Sequence, residues 1–142
     1  MHAVCINLMR ALITLWRGKF KALDAGSGNY IIPADTWELI GEETRDSNHW
    51  IPAAFAGSLP NIDVDFGNFT AEASAFWMTY IVPHVLRNRL PDPYYHHMLD
   101  LVRIMKTCTK FGMSLQEHAQ LSADIYEWCL AYEEHYYQYK PE

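Results

Sequence analysis

The sequence predicts an all-α protein of five to six helices in an irregular bundle, and three observations carry that expectation. Apolar residues return at three- and four-residue intervals over most of the chain, the period of a helix with one buried face. No run alternates with the period of two that a half-buried strand requires, and nothing repeats internally. Helix-start signals stand ahead of the apolar runs at Pro33, Thr70, Asp92 with Pro93, and Ser114.

The first helix is expected from about Ala3 to Trp16. Val4, Leu8, Leu12 and Leu15 share one side with Trp16 beside them, and Gly18 stands just past the end where helices commonly stop. Asp24 to Tyr30, DAGSGNY, lacks the Lys-Thr ending of a phosphate loop and is expected to be a turn. The second helix follows Pro33 and turns Trp37 and Ile40 inward. Residues 46–68 carry Pro52, Gly57, Pro60 and Gly67, so they form one long irregular connection with at most a short helical turn near Ala53. Asn61 in that connection is expected to staple the loop through its side-chain amide.

Thr70 then caps a run from Ala71 to Leu90 that is apolar nearly all round, with Phe76, Trp77, Tyr80, Ile81, Val85 and Leu86, the pattern of a centrally buried helix. Pro83 should kink it. Asp92 as N-cap and Pro93 as first helical residue start the next helix, which runs to about Lys110 with Met98, Leu101, Val102, Met105 and Cys108 inward. Ser114 with Glu117 forms a capping box for a last helix whose apolar stripe is Leu121, Ile125, Trp128, Cys129, Tyr132 and Tyr136.

At 142 residues the chain suits a single helical domain, residues 1–142, burying about 70% of its unfolded surface. The 17 acidic and 11 basic residues give a formal charge of −6, which disfavours direct DNA binding by the chain alone. Arg10, Arg17, Lys19 and Lys21 are expected to be the solvated end of the first helix. Cys5, Cys108 and Cys129 are odd in number, far apart and set among apolar neighbours, so they should pack as small hydrophobes in an intracellular chain. The opening apolar stretch falls short of the roughly 20 residues needed to span a bilayer.

Few residues are arranged for chemistry. His96 and His97 are adjacent, and neighbours on a helix diverge by about 100°, so one should face the core and the other water; no metal site is expected. Asp63 and Asp65 lack the glycine and distal glutamate of a calcium loop. Glu133 and Glu134 are expected on a solvated face. Trp128, Tyr132, Tyr136, Tyr137 and Tyr139 exceed what one helical stripe can bury, which makes them a candidate interaction surface for a protein partner or for self-association.

Several phrases resemble a segment of large fungal transposases of the CACTA (En/Spm) type and of proteins derived from them. They are MHAVCINL at Met1 to Leu8, LWRGKFKALD at Leu15 to Asp24, IPAAFAGSLPNI at Ile51 to Ile62, FTAEASAFWMTYIVPHVLRNRL at Phe69 to Leu90, YYHHMLDLVRI at Tyr94 to Ile104, and YEEHYYQYKPE at Tyr132 to Glu142. In that family the Met-His pair usually follows an Asp, beside the second metal-binding carboxylate of an RNase H-like core. His2 matches the histidine and Asn7 the polar residue after it, while the Asp and the later glutamate are not in this sequence.

The resemblance implies that the chain is the helical insertion between two catalytic acids, nuclear in location. The parent enzyme would use Mg or Mn, held by carboxylates that keep two ions roughly 3.5–4 Å apart. One histidine does not do that, so no catalytic residue and no cofactor is expected. The expected role is a non-catalytic, domesticated remnant acting in assembly. The alternative is an accessory part of a metal-dependent DNA transposase or endonuclease, completed by other segments.

Overall fold

Every regular element among the described residues is helical. The computed structural model describes residues 2–20, 28–51, 58–110 and 112–137, with side chains from Ile6 onward. Lys21, the first four residues of the DAGSGNY segment, the turn expected near Ala53, and Tyr139 lie outside them.

Helix α1 spans His2–Trp16. Met9, Leu12, Ile13, Leu15 and Trp16 are buried, each such side chain stabilising the fold by about 1.5–3 kcal/mol. Gly18 ends the helix at φ +70°, where any side chain would be strained. The Trp16 carbonyl then accepts from Ile32 N at 2.6 Å, which holds the next segment against the helix end. Helix α2, Ala34–Asp46, buries Trp37, Ile40, Gly41 and Thr44.

The connection contains two 3₁₀ turns, Ser47–His49 and Phe66–Asn68, and side-chain amides hold it in shape. Asn61 Oδ1 accepts from Asp63 N at 2.9 Å and Val64 N at 3.4 Å, the expected staple. Asn48 adds a clamp that its sequence context did not suggest. Its Nδ2 donates to the Leu59 carbonyl at 2.8 Å while its Oδ1 accepts from Leu59 N at 2.7 Å. Leu59 and Ile62 are thereby set into the core.

The central rod is made of α3, Ala71–Phe76, a π-helical turn, Trp77–Ile81, and α4, Val82–Val85. Thr70 caps it, accepting from Ala73 N at 3.1 Å. The expected kink at Pro83 takes the form of the π turn: proline brings no N–H and crowds the carbonyl four residues back, and the wider turn lies where that carbonyl falls. The rod ends at Val85 rather than Leu90. Asn88 has φ 64°, a conformation asparagine tolerates better than most residues, and the Leu86 carbonyl accepts from both Arg89 N and Leu90 N at 3.0 Å. Nor is the rod buried on all sides, since Tyr80 is 54% exposed while Trp77, Met78 and Val82 are enclosed. It meets α1 through α3, and α2 through α4.

Helix α5, Tyr94–Cys108, starts one residue later than the sequence suggests. Pro93 takes the N-cap position and no side chain caps it, because the Asp92 carboxylate pairs with His96 Nδ1 instead. The Tyr95 hydroxyl donates to the Pro83 carbonyl at 2.6 Å, serving an acceptor at the end of α4. Met98, Leu101 and Val102 are buried as expected, whereas Met105 and Cys108 are half-buried. Helix α6, Leu115–Tyr136, opens on the hydroxyl half of the capping box, Glu117 N donating to Ser114 Oγ at 3.1 Å.

One hydrophobic core draws on all of these helices. Tyr30, Tyr94 and Tyr136 meet edge-on or tilted within it, their centroids 4.9–5.4 Å apart. Cys129 is exposed and Cys108 only half-buried, both as free thiols, so neither is the enclosed hydrophobe expected of it. Arg17 also departs from expectation: it is not part of a solvated helix end. Its Nη2 donates to Asp63 Oδ1 at 2.8 Å and to the Asp63 carbonyl at 3.1 Å, and its guanidinium lies 4.8 Å over the Trp37 ring.

Candidate interaction surface

Helix α6 carries two apolar stripes, and one of them faces the body. Trp128, Tyr132 and Tyr136 recur every four residues and pack inward, with Ala131 and His135 between them half-buried. Ile125 and Cys129, assigned by sequence to this stripe, are exposed, and Leu121 is half-buried.

The inward stripe is locked onto α5 by a reciprocal contact. His97 and Trp128 stack at 4.3 Å with planes 10° apart. Trp128 Nε1 donates to the His97 carbonyl at 2.8 Å, and His97 Nε2 lies 3.0 Å from the Trp128 carbonyl. A carbonyl only accepts, so Nε2 carries a proton and donates it to the Trp128 carbonyl. Burial lowers the His97 pKa, against the opposing bond to Trp128. His97 is the inward histidine and His96 the exposed one, as the divergence of adjacent helical positions predicts.

The tyrosines of this stripe hold their protons. Burial, with a contribution from Tyr137, pushes the Tyr132 phenol up to about 12. Tyr136 is shifted further up by burial, opposed by the hydrogen bond its hydroxyl accepts from Trp16 Nε1 at 3.0 Å.

A cleft of about 380 Å³ lies between α5 and α6, and Asp100, Arg103, Asp124 and Glu127 are among the residues that line it. Arg103 pairs with Asp100, and Gln120 Nε2 donates to Asp124 Oδ1 at 2.9 Å. Among the described residues, no three of the His, Cys, Asp and Glu side chains come together as a metal site.

The outward stripe, Leu115, Tyr126 and Leu130, lies on the far side of α6, and Tyr137, one residue past the helix, stands at its end with its ring edge-on to Tyr132 of the inward stripe at 5.8 Å. Leu115, Tyr126 and Tyr137 are spaced by eleven residues, close to three helical turns, and Leu130 follows Tyr126 by four. They are 92%, 64%, 41% and 46% exposed in the order Leu115, Tyr126, Tyr137, Leu130. Glu133 sits within the stripe and Glu127 and Glu134 flank it, all exposed. Trp50, also exposed, stands beside Glu43 and Asp46 after the end of α2.

The residues named from the sequence therefore divide. Trp128 and Tyr136 are core residues, because one packs on His97 and the other closes on Trp16, and neither is open to a partner. Tyr132 is half-buried between them, Tyr137 is exposed, and Tyr139 lies outside the described residues. Asn7 is exposed on α1, and the backbone of His2 lies in the first turn of α1. Tyr126, Leu130 and Leu115 were missed, although their spacing was there to find.

Compared with protein-family models, curated proteins and solved structures, the chain matches none of them. Among the described residues no helix is long and apolar enough to cross a membrane.

Proposed function

We propose that this chain is a helical protein-interaction module that acts in assembly, with the outward stripe of α6 as its contact surface. The observation that carries the reading is the second apolar stripe. A surface helix ordinarily shows one apolar stripe and a polar remainder, and large side chains held in water on the opposite face favour a partner's surface over solvent.

The likeness of its phrases to CACTA-type transposases supports an origin as a domesticated, non-catalytic remnant of such an enzyme, and with it a nuclear location. An assembly role agrees with the −6 charge, which opposes contact with a phosphate backbone.

The test has two arms. Tyr126→Ser with Leu130→Ser should change stability by no more than about 0.5 kcal/mol, as surface substitutions do. A photo-reactive amino acid at position 126 should crosslink a defined partner in the source cell, while the same group at exposed Asn7 does not. A loss above about 2 kcal/mol would make the stripe part of the fold's own packing. Identical crosslinking from both positions would remove the interaction reading.

A further inference from the structure

The electrostatics of α6 narrow what can cover its outward stripe. The helix holds Glu117, Asp124, Glu127, Glu133 and Glu134 and not one lysine or arginine. Elsewhere in the fold some carboxylates lie beside cations, Asp63 with Arg17, Glu43 with Arg89 and Asp100 with Arg103, and no other helix gathers as many acids with no lysine or arginine of its own. Among the described residues no lysine or arginine pairs with the carboxylates of α6.

Resting on the interaction reading, we propose that the partner segment is a basic amphipathic helix of another protein. Its apolar side would cover Tyr126 and Leu130 and reach the exposed edge of Tyr137, and its lysines and arginines would reach Glu127, Glu133 and Glu134. From Tyr126 to Tyr137 the stripe runs straight for about 16 Å at the helical rise, a length that three turns of a partner helix match. Docking by an apolar helical face is a recurrent mode of peptide recognition, and flanking charges of opposite sign choose the partner and its register.

The same charges argue against the other occupants. A second copy would set five carboxylates against five, and like charges brought together across an interface cost several kcal/mol. Phosphate backbones and anionic lipid surfaces are repelled in the same way.

The test uses the full chain and two synthetic helices of about 18 residues, one of leucine and lysine and one of leucine and glutamate in the same pattern. Binding is followed by fluorescence anisotropy at about 50 mM and about 500 mM salt. The leucine–lysine peptide should bind, more weakly at high salt, and the leucine–glutamate peptide should not. Glu127→Gln with Glu133→Gln and Glu134→Gln should weaken binding by roughly tenfold or more, as should Tyr126→Ser with Leu130→Ser. The control Glu38→Gln with Glu42→Gln and Glu72→Gln changes net charge equally at exposed sites on α2 and α3 and should leave binding near wild type.

Equal weakening by the control, or equal binding of both peptides, overturns the proposal by making the attraction diffuse or indifferent to charge. A dimer by light scattering that Tyr126→Ser with Leu130→Ser makes monomeric also overturns it, yet leaves α6 as an interface with a second copy as occupant. A monomer that binds neither peptide, and from which position 126 captures nothing, removes both readings.

Discussion

Trp16 Nε1 donates a hydrogen bond to the Tyr136 hydroxyl at 3.0 Å, both side chains fully buried, and so joins the first helix to the last across 120 residues of sequence. Removing the acceptor strands an indole N–H where water does not reach. Tyr136→Phe should therefore destabilise the protein by about 1–3 kcal/mol, visible in urea denaturation as a lower midpoint at unchanged slope. In a double-mutant cycle with Trp16→Phe, the second substitution should cost less than it does alone. Additive losses would mean that the bond contributes nothing of its own.

His97 should make stability fall at mildly acid pH. Its pKa is lowered in the fold from an ordinary 6.5, so the unfolded chain binds the proton more readily than the folded one. No penalty is present above the unfolded value, and stability is lost as pH falls through 6.5 towards the folded pKa. His97→Phe should shrink the loss between about pH 8 and pH 5, measured by chemical denaturation across that range. An unchanged pH profile in the variant would assign the effect to other groups.

Gly41 lies where α2 touches the connection, and a Cβ there would stand 2.1 Å from Asn61 Oδ1 and 2.8 Å from Asp63 Cβ. Alanine gains about 1 kcal/mol of helix propensity over glycine, so a bare helix would be stabilised by Gly41→Ala. The clash should reverse the sign and give a net loss of about 1–3 kcal/mol in a thermal melt. Adding Asn61→Gly should recover part of it.

Asn48 offers a sharper substitution than removal. Asn48→Asp keeps an acceptor for Leu59 N but loses the donor to the Leu59 carbonyl and sets a charge beside it. It should cost about 1–3 kcal/mol, no less than Asn48→Ala, with faster amide exchange at Leu59.

Local chemistry was legible in the sequence where a signal acts within one turn or one stripe. The end of α1, the start of α2, the Thr70 cap, the Ser114 cap and the Asn61 staple each depend on neighbours a few residues away, and each stands where the residues placed it. Asp92 shows the limit. It is a good N-cap by type, but His96 one turn on competes for its carboxylate. Arg17 could not be read because Asp63, its partner, lies 46 residues away.

The candidate interaction surface was half legible for a different reason. Excess aromatics were visible in the last helix, but composition does not say which of them the core takes. Trp128 and Tyr136 were taken, through His97 and Trp16. Two interleaved stripes blur the single-face pattern, so Tyr126 and Leu130 went unmarked despite regular spacing.

The charge pattern of α6 also decides how it can be cut. Between Lys110 and Lys140 no lysine or arginine occurs, so trypsin has no cleavage site anywhere along the helix. A glutamate-specific protease has four exposed targets there, Glu117, Glu127, Glu133 and Glu134. The carboxylates proposed to select a partner thus also set the enzyme able to report it: a bound partner would be silent in a tryptic digest and plain in a glutamyl one.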